Sequence, residues 1–174
     1  KLSIKSMLEN HMPLPGLVLN RHWTIVDLNE SALNFLQLAG FAGFTNLIEA
    51  LASQPPEEST IENWHEAVAL VLYRLQIGLT QAGDDPELFQ RFDSLEQHFH
   101  MHGGRDFQVD FNQAVLPTRF KIGETTVSVI STIARFGTVF DLSVSDLQVE
   151  LFFASDAKSE TGLKLLCQNK RGFI

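Results

Sequence analysis

Cysteine is almost missing from this sequence. A single residue, Cys167, stands in a chain of 174. One thiol cannot build an internal disulfide framework or a Cys-rich zinc site. It fits a reducing compartment, so the cytoplasm is the expected location. Basic residues are also few: 13 Lys and Arg face 21 Asp and Glu, a formal net charge of -8. Phosphate backbones are held by clustered Lys and Arg, so the chain is not expected to bind DNA by itself. Long apolar runs are absent too. The longest, Ala67–Leu79, is interrupted by Arg74 and falls short of the roughly 20 apolar residues that span a bilayer. Lys1–Asn10 carries no apolar stretch of the signal-peptide kind. The first residue is not Met, and a further N-terminal part is expected ahead of it.

Catalytic signatures are missing as well. Gly40-Phe41-Ala42-Gly43 lacks the third glycine and the strand-then-helix setting of a phosphate loop. No Gly-x-Ser-x-Gly elbow occurs. No catalytic residue set and no cofactor is assigned, and the chain is read as a non-enzyme.

What is present describes a folded chain. The hydrophobic fraction is 44% and the charged fraction 20%, ordinary for a globular protein and unlike a disordered one. The length suits one domain over residues 1–174. Phe is abundant, with 14 copies against one Tyr and two Trp.

The N-terminal half alternates strand and helix signals. Leu17–Leu19 and Ile25–Leu28 flank the polar Asn20-Arg21-His22 and read as a hairpin. Asn29 reads as the N-cap of a helix to Leu38, with Gly40 just past its end. Asn46 with Glu49, and Ser59 with Glu62, look like capping boxes. The second would open a helix with Trp64, Val68, Val71, Leu72 and Leu75 as its apolar stripe. Asp85-Pro86 starts another helix, with Leu88, Phe89, Phe92, Leu95 and Phe99 on one face and Gly103-Gly104 as its stop. The period then changes to two, at Phe107–Phe111, Val127–Ile133 and Leu147–Phe153, each set read as facing the core. Ser159 opens a last helix through Leu166. This order predicts an α+β fold: a PAS-like antiparallel sheet covered on one face by helices.

Three features bear on chemistry. His98 and His102 share a helix face at the spacing that can chelate zinc. No Cys lies nearby and Asp or Glu partners would have to come from elsewhere, so no metal is assigned. The Phe- and Val-rich faces of helix and sheet enclose either an elongated apolar cavity or a filled core. Arg74 lies inside an otherwise apolar helix. It either meets a carboxylate ligand through bidentate hydrogen bonds or lays its stem along the helix at the solvent edge.

Four stretches together resemble the ligand-binding domain of MmyB-like, medium/long-chain fatty-acid-type transcription regulators. They are Trp23–Asn29, Asn63–Arg74, Asp84–Phe99, and the late hairpins from Phe120 to Ser155 followed by Thr161–Leu166. Two places differ from the family pattern: Met101-His102-Gly103-Gly104 stands in place of a Trp, and Arg119-Phe120-Lys121 in place of His-Pro. The resemblance implies the sensor domain of a bacterial one-component regulator. It also implies a helix-turn-helix N-terminal to residue 1 that contacts DNA, and a homodimer. The expected ligand is a fatty acid or related apolar molecule, lined by Trp64, Val68, Val71, Leu75, Leu95, Phe99, Val127, Val129 and Phe140. Arg74 is the expected head-group contact and His98 the second candidate. The alternatives are a PAS-type dimerisation module with a filled core and a small α+β enzyme.

Overall fold

The computed structural model describes residues 2–107, 116–135 and 146–168. Among them are six helices: α1 (Leu2–Asn10), α2 (Glu30–Leu38), α3 (Leu47–Ala52), α4 (Trp64–Ala82), α5 (Pro86–Met101) and α6 (Ala157–Gln168). Five strands, β1 (Gly16–Leu19), β2 (Ile25–Leu28), β3 (Thr118–Ile122), β4 (Thr125–Arg135) and β5 (Gln148–Ala154), form one open antiparallel sheet in the order β2-β1-β5-β4-β3. The fold is α+β, with α2 to α6 on one face of the sheet.

Local chemistry sets the element ends. Asn29 caps α2 by accepting from the Ala32 amide at 2.8 Å. Asn46 caps α3 through the Ile48 amide at 2.9 Å. Asp85 caps α5 through the Leu88 amide at 3.1 Å, with Pro86 in the first turn. Gly103, at φ +85°, ends α5 in a conformation that glycine adopts without strain.

Two expectations need correction. The Ser59/Glu62 pair does not open α4, which begins at Trp64. The segment before it is claimed by the sheet. Lys121 donates to the Thr60 carbonyl at 2.7 Å, Glu62 to that of Arg119 at 2.8 Å, and Ile61 bridges to Phe120. Phe89, grouped with the apolar stripe of α5, is 60% exposed; the buried residues of that helix are Leu88, Leu95 and Phe99. The strand expected from Phe107 to Phe111 lies mostly outside the described residues.

The sheet is covered on both sides of its centre. Facing α2 to α6, Leu17, Leu19, Val127 and Val129 join Phe35, Trp64, Val68, Leu95 and Leu163 in the main core. On the other face, Ile4 and Leu8 of α1 pack on Val18 and Val149. β5 therefore presents its residues oppositely to the sequence reading: Leu147, Val149 and Leu151 pack with α1, whereas Glu150 and Phe152 line the space beneath the other helices.

Asn29 fastens these parts together. Its side-chain oxygen accepts from the Gly16 and Ala32 amides, and its nitrogen donates to the Leu8 and Leu14 carbonyls. Asn29→Ala strands all of these buried groups, at a cost of roughly 1 kcal/mol or more each before relaxation. Urea unfolding should show a loss of about 3 kcal/mol. Asn29→Asp keeps both acceptor contacts but sets a carboxylate oxygen against the Leu8 and Leu14 carbonyls, and should lose at least as much; a loss well below that of the alanine variant would refute this division.

Candidate functional site

Helix α4 is apolar on two sides. Trp64, Val68 and Leu75 are fully buried in the core. One step round the helix, Ala67, Val71 and Arg74 face the sheet across a cavity of about 100 Å³. Its far wall is Leu36 of α2, Phe41, and Leu47 and Leu51 of α3. Its floor is Phe120 of β3, Val129 and Ser131 of β4, and Glu150 and Phe152 of β5. Most of this lining is aliphatic or aromatic.

The charged groups gather at one place, and Thr118 of β3 is a further polar side chain of the lining. Glu150 is 4% exposed. Nη1 of Arg74 reaches Oε1 of Glu150 and Oγ of Ser131, both at 3.4 Å. These are long single contacts, not the paired fork of a tight guanidinium–carboxylate bridge. The side chain of Arg74 is 27% exposed and also borders a second cleft of about 400 Å³, whose lining mixes apolar residues such as Ile77, Leu88 and Ile133 with charged ones. Arg21, Arg135, Asp146 and Gln148 line that cleft. Trp23 and Arg74 border both spaces.

Trp23 has φ +65°, a conformation that costs a bulky residue energy. The turn holds it there. Asn20 Oδ1 accepts from the His22 and Thr24 amides. The Trp23 amide donates to Asn20, and its carbonyl accepts from Leu47. His22 Nε2 then meets the Asp85 carboxylate at 3.0 Å, and Arg21 lies 3.6 Å from Asp85 and 3.8 Å from Asp146. The backbone amide of Leu88, and then His22 and Arg21, hold Asp85 below the usual carboxylate range.

Of the residues named from sequence, the structure brings Val71, Arg74 and Val129 together on the apolar cavity. Leu75 borders the second cleft instead. Trp64, Val68, Leu95, Phe99 and Val127 sit in the filled core. His98 stands at the end of α5, its Nε2 at 3.1 Å from the Gln54 carbonyl and its ring edge-on to Trp64. Phe140 lies outside the described residues. Trp23, Phe41, Ser131, Glu150 and Phe152 were not foreseen. Of these, only Glu150 carried a signal, as a carboxylate inside an apolar strand.

No group of three potential metal ligands occurs among the described residues. Burial pushes the Cys167 thiol up to about 12, which leaves it un-ionised at neutral pH and a poor nucleophile. No described helix is long and apolar enough to cross a membrane.

A concave, mostly apolar space with a few placed polar groups is the usual make-up of a small-molecule site, and the space between the helical layer and the open antiparallel sheet has it. The sequence agrees: residues 2–166 match the MmyB-like transcription regulator ligand binding domain, and the chain belongs to that family. No curated protein matches the chain.

The electrostatics of Glu150 give a prediction. Burial raises its carboxyl above the ordinary value, opposed by Ser131 and Arg74. The folded protein therefore holds this proton to higher pH than the unfolded chain. Its contribution to stability is full below the ordinary value of 4.5 and is lost as pH rises through the raised one. Glu150→Gln escapes that loss. Its stability relative to the parent should rise as the pH climbs above the ordinary carboxyl value of 4.5, measured by urea midpoints. A constant difference would show that the carboxyl is not held up.

Proposed function

We propose that this domain senses an apolar small molecule carrying one polar head, a fatty acid or close relative, for a one-component transcription regulator of the cytoplasm. The observation that carries this reading is the mostly apolar cavity whose two charged side chains, Arg74 and Glu150, meet with Ser131 at one place, Thr118 on β3 being the other polar side chain of the lining. A head group at that place would meet hydrogen-bond partners, and an acyl chain would gain about 0.8 kcal/mol per buried methylene. The domain has no catalytic task in this reading. DNA is contacted by a helix-turn-helix outside residues 1–174, and two-fold operators imply a homodimer.

Size adds a mechanism. The cavity, about 100 Å³, is smaller than the ~150 Å³ that accommodates benzene. A long chain enters only if Leu36, Phe41, Leu47 and Leu51 move outward. Binding then favours a state with α2 and α3 displaced, and a ligand that distinguishes two states shifts their populations. That displacement is the proposed signal to the rest of the regulator.

The test is direct. Decanoic acid and 1-decanol should each raise the melting temperature and change the emission of Trp23, leaving that of the core residue Trp64 unaltered when Trp23 is replaced by Phe. Val129→Trp fills the cavity floor and should weaken both ligands at least tenfold, about 1.4 kcal/mol. Arg74→Ala should weaken the acid more than the alcohol. If neither ligand binds, or Val129→Trp binds both as well as the parent, the acyl reading falls.

A further inference from the structure

Arg74 is the obvious anchor for an acid, but it already faces a carboxylate. Glu150 lies at the charged end of the cavity, almost wholly buried, with the guanidinium 3.4 Å away. Across the sheet its direct neighbours are Leu17 of β1 and Ile133 of β4, which offer no charge. Ser131 of β4 is neutral, as is Gln148 on its own strand. The other charges near this end line the second cleft: Arg21, Arg135 and Asp146. Arg21 is within 3.8 Å of Asp146 and Arg135 donates to Gln81 at 3.0 Å. With Glu150 ionised, the inner pair of Arg74 and Glu150 is electrically balanced before any ligand arrives.

From this balance we infer that Glu150 is a specificity-determining residue: it selects ligands whose head brings a hydrogen to the site, and it admits an acid only together with a proton. The inference rests on the acyl reading above. A hydroxyl or a primary amide donates to Glu150 while accepting from Arg74 or Ser131, so every polar group is satisfied without a change of charge. An ionised carboxylate has no hydrogen to give. Beside Arg74 it would set two anions against one cation in a site walled by Trp23, Val71 and Phe152. Two carboxylates sharing one site do not both stay ionised; one pKa rises strongly. A proton from solvent then bridges Glu150 and the ligand, and its pKa belongs to the pair. The upward push that burial gives the empty protein's Glu150 acts in the same direction.

The consequence is measurable. Where Glu150 and the free acid are both ionised, each bound acid takes up one proton, and its Kd rises about tenfold per pH unit. The alcohol has no such dependence. Calorimetric titration of decanoic acid and 1-decanol from about pH 6 to about pH 8.5, in two buffers of different ionisation enthalpy, counts the proton directly. Glu150→Gln, which supplies an amide donor in place of the carboxylate, should bind the acid without proton uptake. It should also bind it at least tenfold tighter than the parent at the alkaline end, with the alcohol still bound. In the parent, a pH-independent Kd for the acid with no proton uptake, alongside normal alcohol binding, overturns the inference; the acid would then stop in the cleft against Arg21 and Arg135. Failure of both ligands to bind overturns the acyl reading itself, and the inference with it.

Discussion

A carboxylate on the inner face of a central strand must be paired or neutralised, and that requirement links the sheet to the helical layer. Glu150 sits on β5 between β1 and β4, where water does not reach it. Ionised and unpartnered, it would cost several kcal/mol. Arg74 answers from α4, which explains a guanidinium in an otherwise apolar helix. Such a pair is a weak source of stability, because desolvation consumes most of the attraction. Replacing buried pairs by apolar residues is often neutral or stabilising by roughly 1–4 kcal/mol. What the pair does supply is a charged end to a mostly apolar cavity. Its long contacts at 3.4 Å leave guanidinium hydrogens for another acceptor.

The sheet tolerates this polar intrusion because its other face is closed. All of β1 is buried, with Leu17 and Leu19 beneath α2 to α6 and Val18 against α1. Asn29 fixes the geometry by binding the last turn of α1, the start of β1 and the first turn of α2 at once. The helices on the two faces are thus held in register by one amide side chain.

Local signals were legible in the sequence, and non-local ones were not. Asn29, Asn46 and Asp85 were readable as caps because a cap depends on residues two or three positions away. The open antiparallel sheet followed from the order of elements. The start of α4 was misread because Thr60 and Glu62 bond to β3, some sixty residues distant. The facing of β5 was misread for a similar reason. Val149 and Leu151 on one side and Phe152 on the other are all apolar, so alternation alone does not say which side faces the core. Recognising Ile4 and Leu8 as one face of a helix would have assigned the odd-numbered set to α1. In the site, Val71, Arg74 and Val129 were legible as members of apolar elements. The sequence reading followed the stripe of α4 through Trp64 and Val68, whereas the cavity lies on the neighbouring one, because α4 is packed between α5 and the sheet.

That position of α4 also separates a sensor from a passive packing module. A filled core would be best served by aliphatic residues at Arg74 and Glu150 and by a relaxed turn at Trp23. Instead, a buried pair with long contacts, a tryptophan at φ +65° and an undersized cavity meet at one place. Strain and loosely satisfied polar groups persist where the surrounding structure enforces them, and they gather where a protein binds or switches. Two of these are costs that a suitable ligand can relieve: the guanidinium gains an acceptor and the cavity gains contacts. A ligand that relieves such costs in one arrangement of α2 and α3 and not in another has the differential affinity on which signalling depends.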